Sequence, residues 1–174
     1  MKAWKHFKTI TYHKYLVMKG CFAVGLYWQG ICHDLSKYTP TEFIVGARYY
    51  QGNRSPNNAE REAKGYSSAW LHHKGRNRHH YEYWIDCTTA VKGGMAPVPM
   101  PARYVAEMLM DRIAATKVYK GAAYTEREPL SYYRSGKEPP IMHPETAALL
   151  EKLLVMLAEQ GEKETFAYVK KNLL

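Results

Sequence analysis

The residues best suited to chemistry are His33 and Asp34, which are adjacent in the run His33-Asp34-Leu35-Ser36-Lys37. An imidazole and a carboxylate bind a divalent cation together when the fold brings further ligands to them. The sequence offers such ligands on both sides: His13, His72, His73, His79, His80 and Asp111. None of them is a thiolate, so the set favours one or two ions of iron, manganese, nickel, cobalt or zinc. The pattern therefore predicts metal-assisted hydrolysis and leaves the substrate open.

Asp111 lies in the apolar stretch 108–113. A buried carboxylate without a cation is expensive, so this position favours a metal ligand. The alternative is that Asp111 pairs with Arg112 or Lys117.

Two histidine pairs, His72-His73 and His79-His80, follow the His-Asp doublet. Neighbouring residues of a helix are about 100° apart, so we expect one member of each pair to face the site. In a continuous helix His73 and His80 share a face, and so do His72 and His79. We prefer His73 and His80.

Several residues are candidates for contact with a phosphate. Lys37 lies beside the doublet, and Arg76, Asn77 and Arg78 form a basic edge in which arginine offers bidentate contacts. The alternative for all of them is a solvated surface. The formal net charge of +9 also favours an anionic partner.

Glu107 lies one helical turn before Asp111. It is a candidate to orient a metal ligand or to act as a base. Equally, it balances Arg103, four residues earlier.

Composition places the chain among globular proteins. Its 174 residues, 46% of them hydrophobic, fit one domain, 1–174. Three cysteines without a CxxC pair predict unpaired, mostly buried thiols in a cytoplasmic protein. The apolar stretch 16–32 is short and interrupted by Lys19 and Gln29, so it predicts a buried helix rather than a signal or membrane segment.

Periodicity predicts an all-α fold, a single-domain helical bundle. We expect helices over 4–28, from the Thr39-Pro40 start to Gly52, over 67–86 with a break near Gly75, over 102–119, from His143 onward, and over 162–172. Between them we expect a polar loop at 52–65, a Gly/Pro connector at 93–101 and an irregular segment at 121–142. The helix over 144–160 docks either on its own core or on a second copy in a homodimer. His6 is expected at the surface.

The order His13, His33-Asp34, the two histidine pairs and Asp111 resembles the H…HD…H…H…D pattern of the HD-domain metal-dependent phosphohydrolases. The frame HDLSK is similar to the HD-x-x-K variant of that motif. The run from Ala69 to Trp84 resembles a bacterial and phage family of HD-like proteins catalogued only as a domain of unknown function, over about residues 10–160. The spacing of twenty positions from His13 to His33 is short for the superfamily.

The resemblance implies an HD-like all-α fold, a divalent metal centre and hydrolysis of a phosphoester. It implies His13, His33, Asp34 and Asp111 as ligands of one metal. It further implies His73 and His80 at a second metal or at phosphate, and Lys37 at phosphate.

The predicted reaction is hydrolysis of a nucleotide or other small phosphoester by metal-activated water. Its candidate catalytic residues are Asp34, Lys37 and Glu107, and its candidate substrate contacts are Lys37, Arg76, Asn77, Arg78 and His80. One alternative is a basic nucleic-acid-binding protein whose tyrosines stack on bases. Another is a non-catalytic HD-like scaffold that binds a metal or a nucleotide.

Overall fold

A computed structural model describes residues 1–89, 92–136 and 141–174, and most of them are helical. The α-helices are α1 (Lys2–Val24), α2 (Tyr27–Cys32), α3 (Pro40–Tyr49), α4 (Pro56–Lys64), α5 (Ser68–Lys74), α6 (Ala102–Lys120), α7 (Glu128–Arg134) and α8 (Pro144–Asn172). Three 3₁₀ turns span Leu35–Tyr38, Tyr81–Tyr83 and Gly121–Ala123. Strands β1 (Ile85–Thr88) and β2 (Gly94–Pro97) form an antiparallel hairpin. The prediction of a mostly helical single domain is confirmed, with the hairpin as an addition.

The core lies where α1, α6 and α8 pack together. It is built from Val17 and Cys21 of α1, the middle of α6, and the α8 stripe of Leu150, Leu153, Leu154 and Leu157. Helices α1 and α6 approach closely at Gly20, where an added Cβ would lie 2.8 Å from Met110 Sδ. This close crossing brings the inner face of α1 against the part of α6 that carries Asp111.

The helix predicted over 4–28 is two helices. Gly25 has φ 92°, a left-handed conformation that ends α1 and is accessible to glycine. The chain then enters α2, which delivers His33 and Asp34 at its end. The apolar pattern of the sequence continues through this break and therefore does not indicate it.

The start of α3 is confirmed at Thr39-Pro40, although the Thr39 hydroxyl donates to Ser36 O at 2.6 Å instead of capping the helix. Helix α3 ends at Tyr49, three residues before Gly52. The predicted loop 52–65 is wrong over most of its length, because α4 occupies 56–64. Only Ala59 and Glu60 of α4 are buried, so the helix lacks the apolar stripe that would reveal it.

The helix predicted over 67–86 is wrong beyond Lys74. The Asn77 side chain donates to His73 O at 2.8 Å and satisfies a carbonyl at the end of α5. The chain then turns into the hairpin, in which Ile85 pairs with Pro97 and Thr88 with Gly94. The predicted connector 93–101 is therefore wrong over 94–97, which form β2.

The C-terminal half agrees more closely with expectation. Helix α6 matches the predicted 102–119 to within one residue. His143 precedes α8 and its Nδ1 accepts from the Glu145 backbone amide at 3.3 Å. Gly161, with φ 83°, interrupts α8 and divides it into the two predicted segments. The predicted irregular segment 121–142 contains the third 3₁₀ turn and α7, and its part 137–140 lies outside the described residues.

Two further expectations need correction. His6 is buried against α3, where a Cβ on Gly46 would lie within 2.3 Å of its Nε2, so it is not a surface residue. All three cysteines are free as predicted, but only Cys21 is buried, and Cys87 is exposed.

Among the described residues, no helix has the length and apolar character needed to cross a membrane.

Candidate metal centre

The His33-Asp34 turn is fixed from outside by α1. The Lys14 ammonium donates to Ile31 O at 2.5 Å and to His33 O at 2.8 Å, closing the end of α2. Asp34 adopts a left-handed conformation with φ 55°, which aspartate tolerates better than most residues. The turn points both side chains into the interior, where His33 and Asp34 are 2% and 1% exposed.

One ligand group consists of His13, His33, Asp34 and Asp111. His13 Nε2 lies 2.9 Å from Asp111 Oδ1, and His33 Nε2 lies 3.2 Å from Asp34 Oδ2. The remaining approaches, His13 Nε2 to Asp34 Oδ2 and His33 Nε2 to Asp111 Oδ1, are both 3.7 Å. The structure thus brings together the four residues predicted to hold one metal.

A second ligand group consists of Asp34, His73, His79 and His80, and a smaller third set contains His33, His79 and Glu107. His73 Nε2 lies 3.2 Å and His79 Nε2 3.4 Å from Asp34 Oδ1, and the Nε2 atoms of His73 and His80 are 2.9 Å apart. Asp34 belongs to both groups. Its Oδ2 faces His13 and His33, and its Oδ1 faces His73 and His79.

The polar atoms of these groups fit a divalent cation. Among the described residues, five buried atoms here make no hydrogen bond of regular geometry, although oppositely charged groups lie close to several of them: His13 Nε2, His33 Nε2, His79 Nε2, Asp34 Oδ1 and Asp34 Oδ2. Ligands about 2.1 Å from one ion are roughly 3.0–3.4 Å from each other, close to the separations found here. Buried imidazole nitrogens and carboxylate oxygens at these separations match the ligands that transition metals use.

Glu107 lies behind the imidazoles. Its Oε1 accepts from His33 Nδ1 at 2.9 Å and from His79 Nδ1 at 3.1 Å, and its Oε2 accepts from Gln29 Nε2 at 2.7 Å. Because a carboxylate only accepts hydrogen bonds, it holds a proton on each Nδ1 and turns each Nε2 towards the ligand groups. Since His33 and His79 belong to different ligand groups, Glu107 orients one ligand of each.

Glu42 of α3 acts in the same way on α5. Its Oε2 accepts from His73 Nδ1 and its Oε1 from His72 Nδ1, both at 2.7 Å. His73 therefore presents Nε2 to the second group, whereas His72 is held outside it.

Charges within the centre keep its carboxyl groups ionised. Burial works to raise the pKa of Asp34, but the charges of His33, Lys37 and His73 hold that pKa well below its ordinary value. Burial likewise opposes ionisation of Asp111, yet the neighbouring His13 and His33 imidazoles keep its pKa well below the ordinary value. Burial and the neighbouring His79 and His73 lower the pKa of His80 well below its ordinary value, which favours the neutral, ligating form.

Of the predicted phosphate contacts, Lys37 lies in the centre, with Nζ 2.5 Å from Asp34 Oδ2. Arg76 and Arg78 are exposed and line a cavity of about 170 Å³ that is also lined by His33, His79 and Glu107. Asn77 is buried and donates to Ser36 Oγ at 2.9 Å as well as to His73 O, so its amide is committed to structure.

The cations suggested as alternative partners of Asp111 and Glu107 interact with other residues. Lys117 pairs with Glu162, and Arg112 lies over the Tyr133 ring, so Asp111 keeps His13 as its partner. Arg103 donates to Gln29 Oε1 at 3.0 Å, which places Gln29 between Arg103 and Glu107.

Three residues of this centre, Lys14, Gln29 and Glu42, were not predicted from the sequence, and His79 was the less favoured alternative to His80. The expectation of one inward histidine per pair holds for His72-His73. It is wrong for His79-His80, because both belong to the second group. The reason is that the chain at 79–80 has left the helix, so the 100° rule does not apply. The remaining signals in the sequence were a charged residue in a helix (Glu42) and a lysine directly after His13 (Lys14), and many surface positions have such residues.

Comparison with known proteins identifies a family whose function is unknown. No curated protein matches the chain, and no solved structure matches it. The model of a family of unknown function, DUF5662, matches residues 2–156, which include every ligand of both groups. The chain therefore belongs to the DUF5662 family of unknown function.

Proposed function

We propose that this protein is a metal-dependent phosphohydrolase that acts on a nucleotide or other small phosphoester. The observation that carries the proposal is the sharing of Asp34, whose two oxygens face two separate groups of imidazole nitrogens. A carboxylate placed in this way suits two cations held side by side, an arrangement common among enzymes that cleave phosphoesters.

The residues that would hold the ions are His13, His33, Asp34 and Asp111 in one group and Asp34, His73, His79 and His80 in the other. When bound there, divalent ions lower the pKa of a coordinated water and offset charge on a phosphoryl oxygen. The chain supplies the rigidity: Glu107 and Glu42 hold three of the imidazoles with Nε2 inward. Such support matters because a displaced ligand weakens both binding and catalysis.

Exposure identifies where a substrate would enter. The Lys37 and Asp111 side chains are 28% and 18% exposed, whereas those of His13, His33 and Asp34 are at most 9% exposed. A phosphate arriving beside Lys37 would meet its ammonium group, which stabilises negative charge developing on the phosphoryl oxygens. We therefore assign the nearest phosphate contact to Lys37. Arg76 and Arg78, at the cavity behind the imidazoles, are assigned to more distant parts of an anionic substrate.

The test is phosphoester hydrolysis by untagged protein reconstituted with manganese, iron, nickel, cobalt or zinc in turn. The panel comprises nucleoside monophosphates, cyclic nucleotides, sugar phosphates and a chromogenic phosphodiester. We expect metal-dependent turnover of at least one class and a loss of about 100-fold or more in Asp34→Asn.

Asp86→Asn is the matched control, because Asp86 lies exposed on β1 and makes the same change of charge. It should leave turnover unchanged. Metal-loaded wild type that hydrolyses nothing in the panel would contradict the proposal and favour a non-catalytic scaffold.

A further inference from the structure

Helix α1 presents an unusual outward face. Six residues at steps of three or four share it and form the aromatic-basic face: Trp4, Lys8, Tyr12, Tyr15, Lys19 and Phe22. The four rings are exposed, at 61% for Trp4, 54% for Tyr12, 48% for Tyr15 and 38% for Phe22. Scattered exposed apolar residues are ordinary, but a row of rings along one helix face marks a binding surface.

This face is independent of the metal centre. The buried residues of α1 include His13, Val17 and Cys21, and they lie on the opposite side of the helix. A ligand bound to the aromatic-basic face therefore lies across α1 from the His13 ligand group.

The positive charge of this face indicates an anionic partner. Residues 1–33 contain five lysines and neither aspartate nor glutamate, so Asp34 is the first acidic residue of the chain. Two of these lysines lie among the rings: Lys8 Nζ is 5.3 Å from the Trp4 ring centroid, and Lys19 Nζ is 5.6 Å from that of Tyr15. The surface thus offers cations and rings in alternation to a partner that is itself anionic and aromatic.

We propose that the aromatic-basic face of α1 binds single-stranded nucleic acid. Unpaired bases stack on exposed rings while lysines contact the phosphates between them, a combination that binds single strands with little sequence preference. A duplex satisfies only the lysines, because its bases are already stacked. This interaction lies beyond the proposed hydrolysis and does not depend on it.

Two other occupants fit less well. A second copy of the chain would bring two lysine-rich faces together without acidic residues to pair them. A membrane-surface helix segregates its lysines to the polar side, whereas Lys8 and Lys19 lie within the row of rings, and the six residues include no aliphatic side chain.

The test is fluorescence anisotropy with a labelled 20-nucleotide oligo(dT) and with a duplex of equal length, at several salt concentrations. We expect tighter binding to the single strand. Lys8→Glu with Lys19→Glu should weaken it at least about tenfold and lower the slope of log affinity against log salt by about 1.4, since each single-strand phosphate contact contributes about 0.7. Trp4→Ala with Tyr15→Ala should also weaken it at least about tenfold, because each ring that is removed loses a stacked base.

Matched controls separate this face from general charge and hydrophobicity. Lys170→Glu with Lys171→Glu makes the same charge change on exposed positions of α8, and Tyr132→Ala removes an exposed ring from α7. Both should change affinity less than about twofold, well below one phosphate or stacking contact. Asp34→Asn should bind oligo(dT) as the wild type does, which keeps this proposal separate from the hydrolase proposal.

Three results would overturn the inference. One is that the charge reversals on α1 and on α8 weaken oligo(dT) binding equally, which would show that net charge alone accounts for the affinity. Another is binding to the duplex as tight as to the single strand. The third is the absence of oligo(dT) binding, and an aromatic-dependent affinity for phosphatidylglycerol vesicles in that case would assign the face to a lipid surface. Melting temperatures of the lysine and aromatic variants should stay near the wild type, since their altered side chains are exposed.

Discussion

At the residue scale, two buried carboxylates decide which nitrogen each histidine turns inward. Glu107 holds His33 and His79, and Glu42 holds His73, each through Nδ1. These glutamates contact the Nδ1 atoms of the ligand histidines and not the inward-facing Nε2 atoms, so their role is to position the imidazoles. Glu107 had been a candidate base, and its place behind the imidazoles favours the orienting role instead.

The first prediction concerns Glu107→Gln. Glutamine keeps the size of the side chain but cannot accept from His33 and His79 with the same charge, so both imidazoles lose their fixed orientation. We expect metal affinity to fall about 10- to 100-fold while the fold is retained. A competitive titration with a chromogenic chelator measures this. Glu159→Gln, on the exposed side of α8, is the control, and equal affinities for the two variants would contradict the assignment.

The second prediction concerns His6 and pH. Burial, with a further contribution from the Lys37 charge, lowers the pKa of His6 from 6.5 to about 4. Between those values the unfolded chain binds a proton that the folded protein does not, so the stability from neutral His6 is full above pH 6.5 and is lost as pH falls towards 4. We expect the wild type to lose about 2–3 kcal/mol more unfolding free energy between pH 7 and pH 4 than His6→Gln.

Urea unfolding of both proteins at the two pH values measures that difference. Equal losses in wild type and variant would show that His6 takes up a proton as freely in the folded protein as in the unfolded chain.

At the element scale, Glu60 joins α4 to the start of α5. It is fully buried and accepts from Ser67 Oγ at 2.7 Å, Ser68 Oγ at 2.6 Å and the Ala69 amide at 3.4 Å. Ser67 in turn caps α5 by accepting from the Trp70 amide. Because α5 carries His73, this junction helps to fix one ligand of the second group.

The third prediction is that Glu60→Gln destabilises the protein by about 1–3 kcal/mol at pH 7, the usual effect of disturbing a buried, hydrogen-bonded carboxylate. Burial alone would raise the pKa of Glu60, but hydrogen bonds from Ser68, Ser67 and Lys64 lower it to about 2. The stabilisation is therefore full above pH 4.5 and is lost as pH falls through about 2.

Glu62→Gln is the matched control for Glu60→Gln. It lies on the same helix, with a side chain 61% exposed and paired only with Arg54 among the described contacts. It should change stability by less than about 0.5 kcal/mol. Denaturant melts at pH 7 compare the two, and equal effects would contradict the role of Glu60 at the junction.

Elements with strong helical periodicity were predictable, and those without it were not. Helix α6 and the leucine stripe of α8 bury wide apolar faces, so their patterns fixed their type and extent. Helix α4 buries only two residues, and the hairpin strands have four residues each, too short for an alternating pattern. Their structure depends on contacts with the rest of the chain.

The same distinction applies to the centre. His13, His33, Asp34 and Asp111 were predicted because they are chemically conspicuous on elements whose helical character was evident. The position of His79 depends on where α5 ends. That end is stabilised by the hydrogen bond from the Asn77 side-chain amide to His73 O. The supporting residues Lys14, Gln29 and Glu42 were not found, since their roles arise only when distant elements meet.

At the scale of the whole molecule, the ligands are spread from α1 to α6 and meet only in the folded protein. A cation bound to them therefore stabilises the folded state over the unfolded chain. The fourth prediction is that metal at 100 times its dissociation constant adds about 2.7 kcal/mol. For a chain of this size that raises the melting temperature by roughly 5–10 °C above metal-stripped protein. Calorimetry measures the shift, and identical melting temperatures with and without metal would contradict a preformed centre.

The central claim is that Asp34 joins two metal sites, and metal content tests it most directly. Mass spectrometry on untagged protein, purified with and without reconstitution, would count the ions per chain in wild type, Asp34→Asn and His33→Ala. We predict about two equivalents of divalent transition metal in the wild type, since one carboxylate serves two ligand groups. In folded Asp34→Asn both sites should weaken, whereas His33→Ala should empty mainly the site that includes His13. Folded wild type without stoichiometric metal after reconstitution would contradict the account.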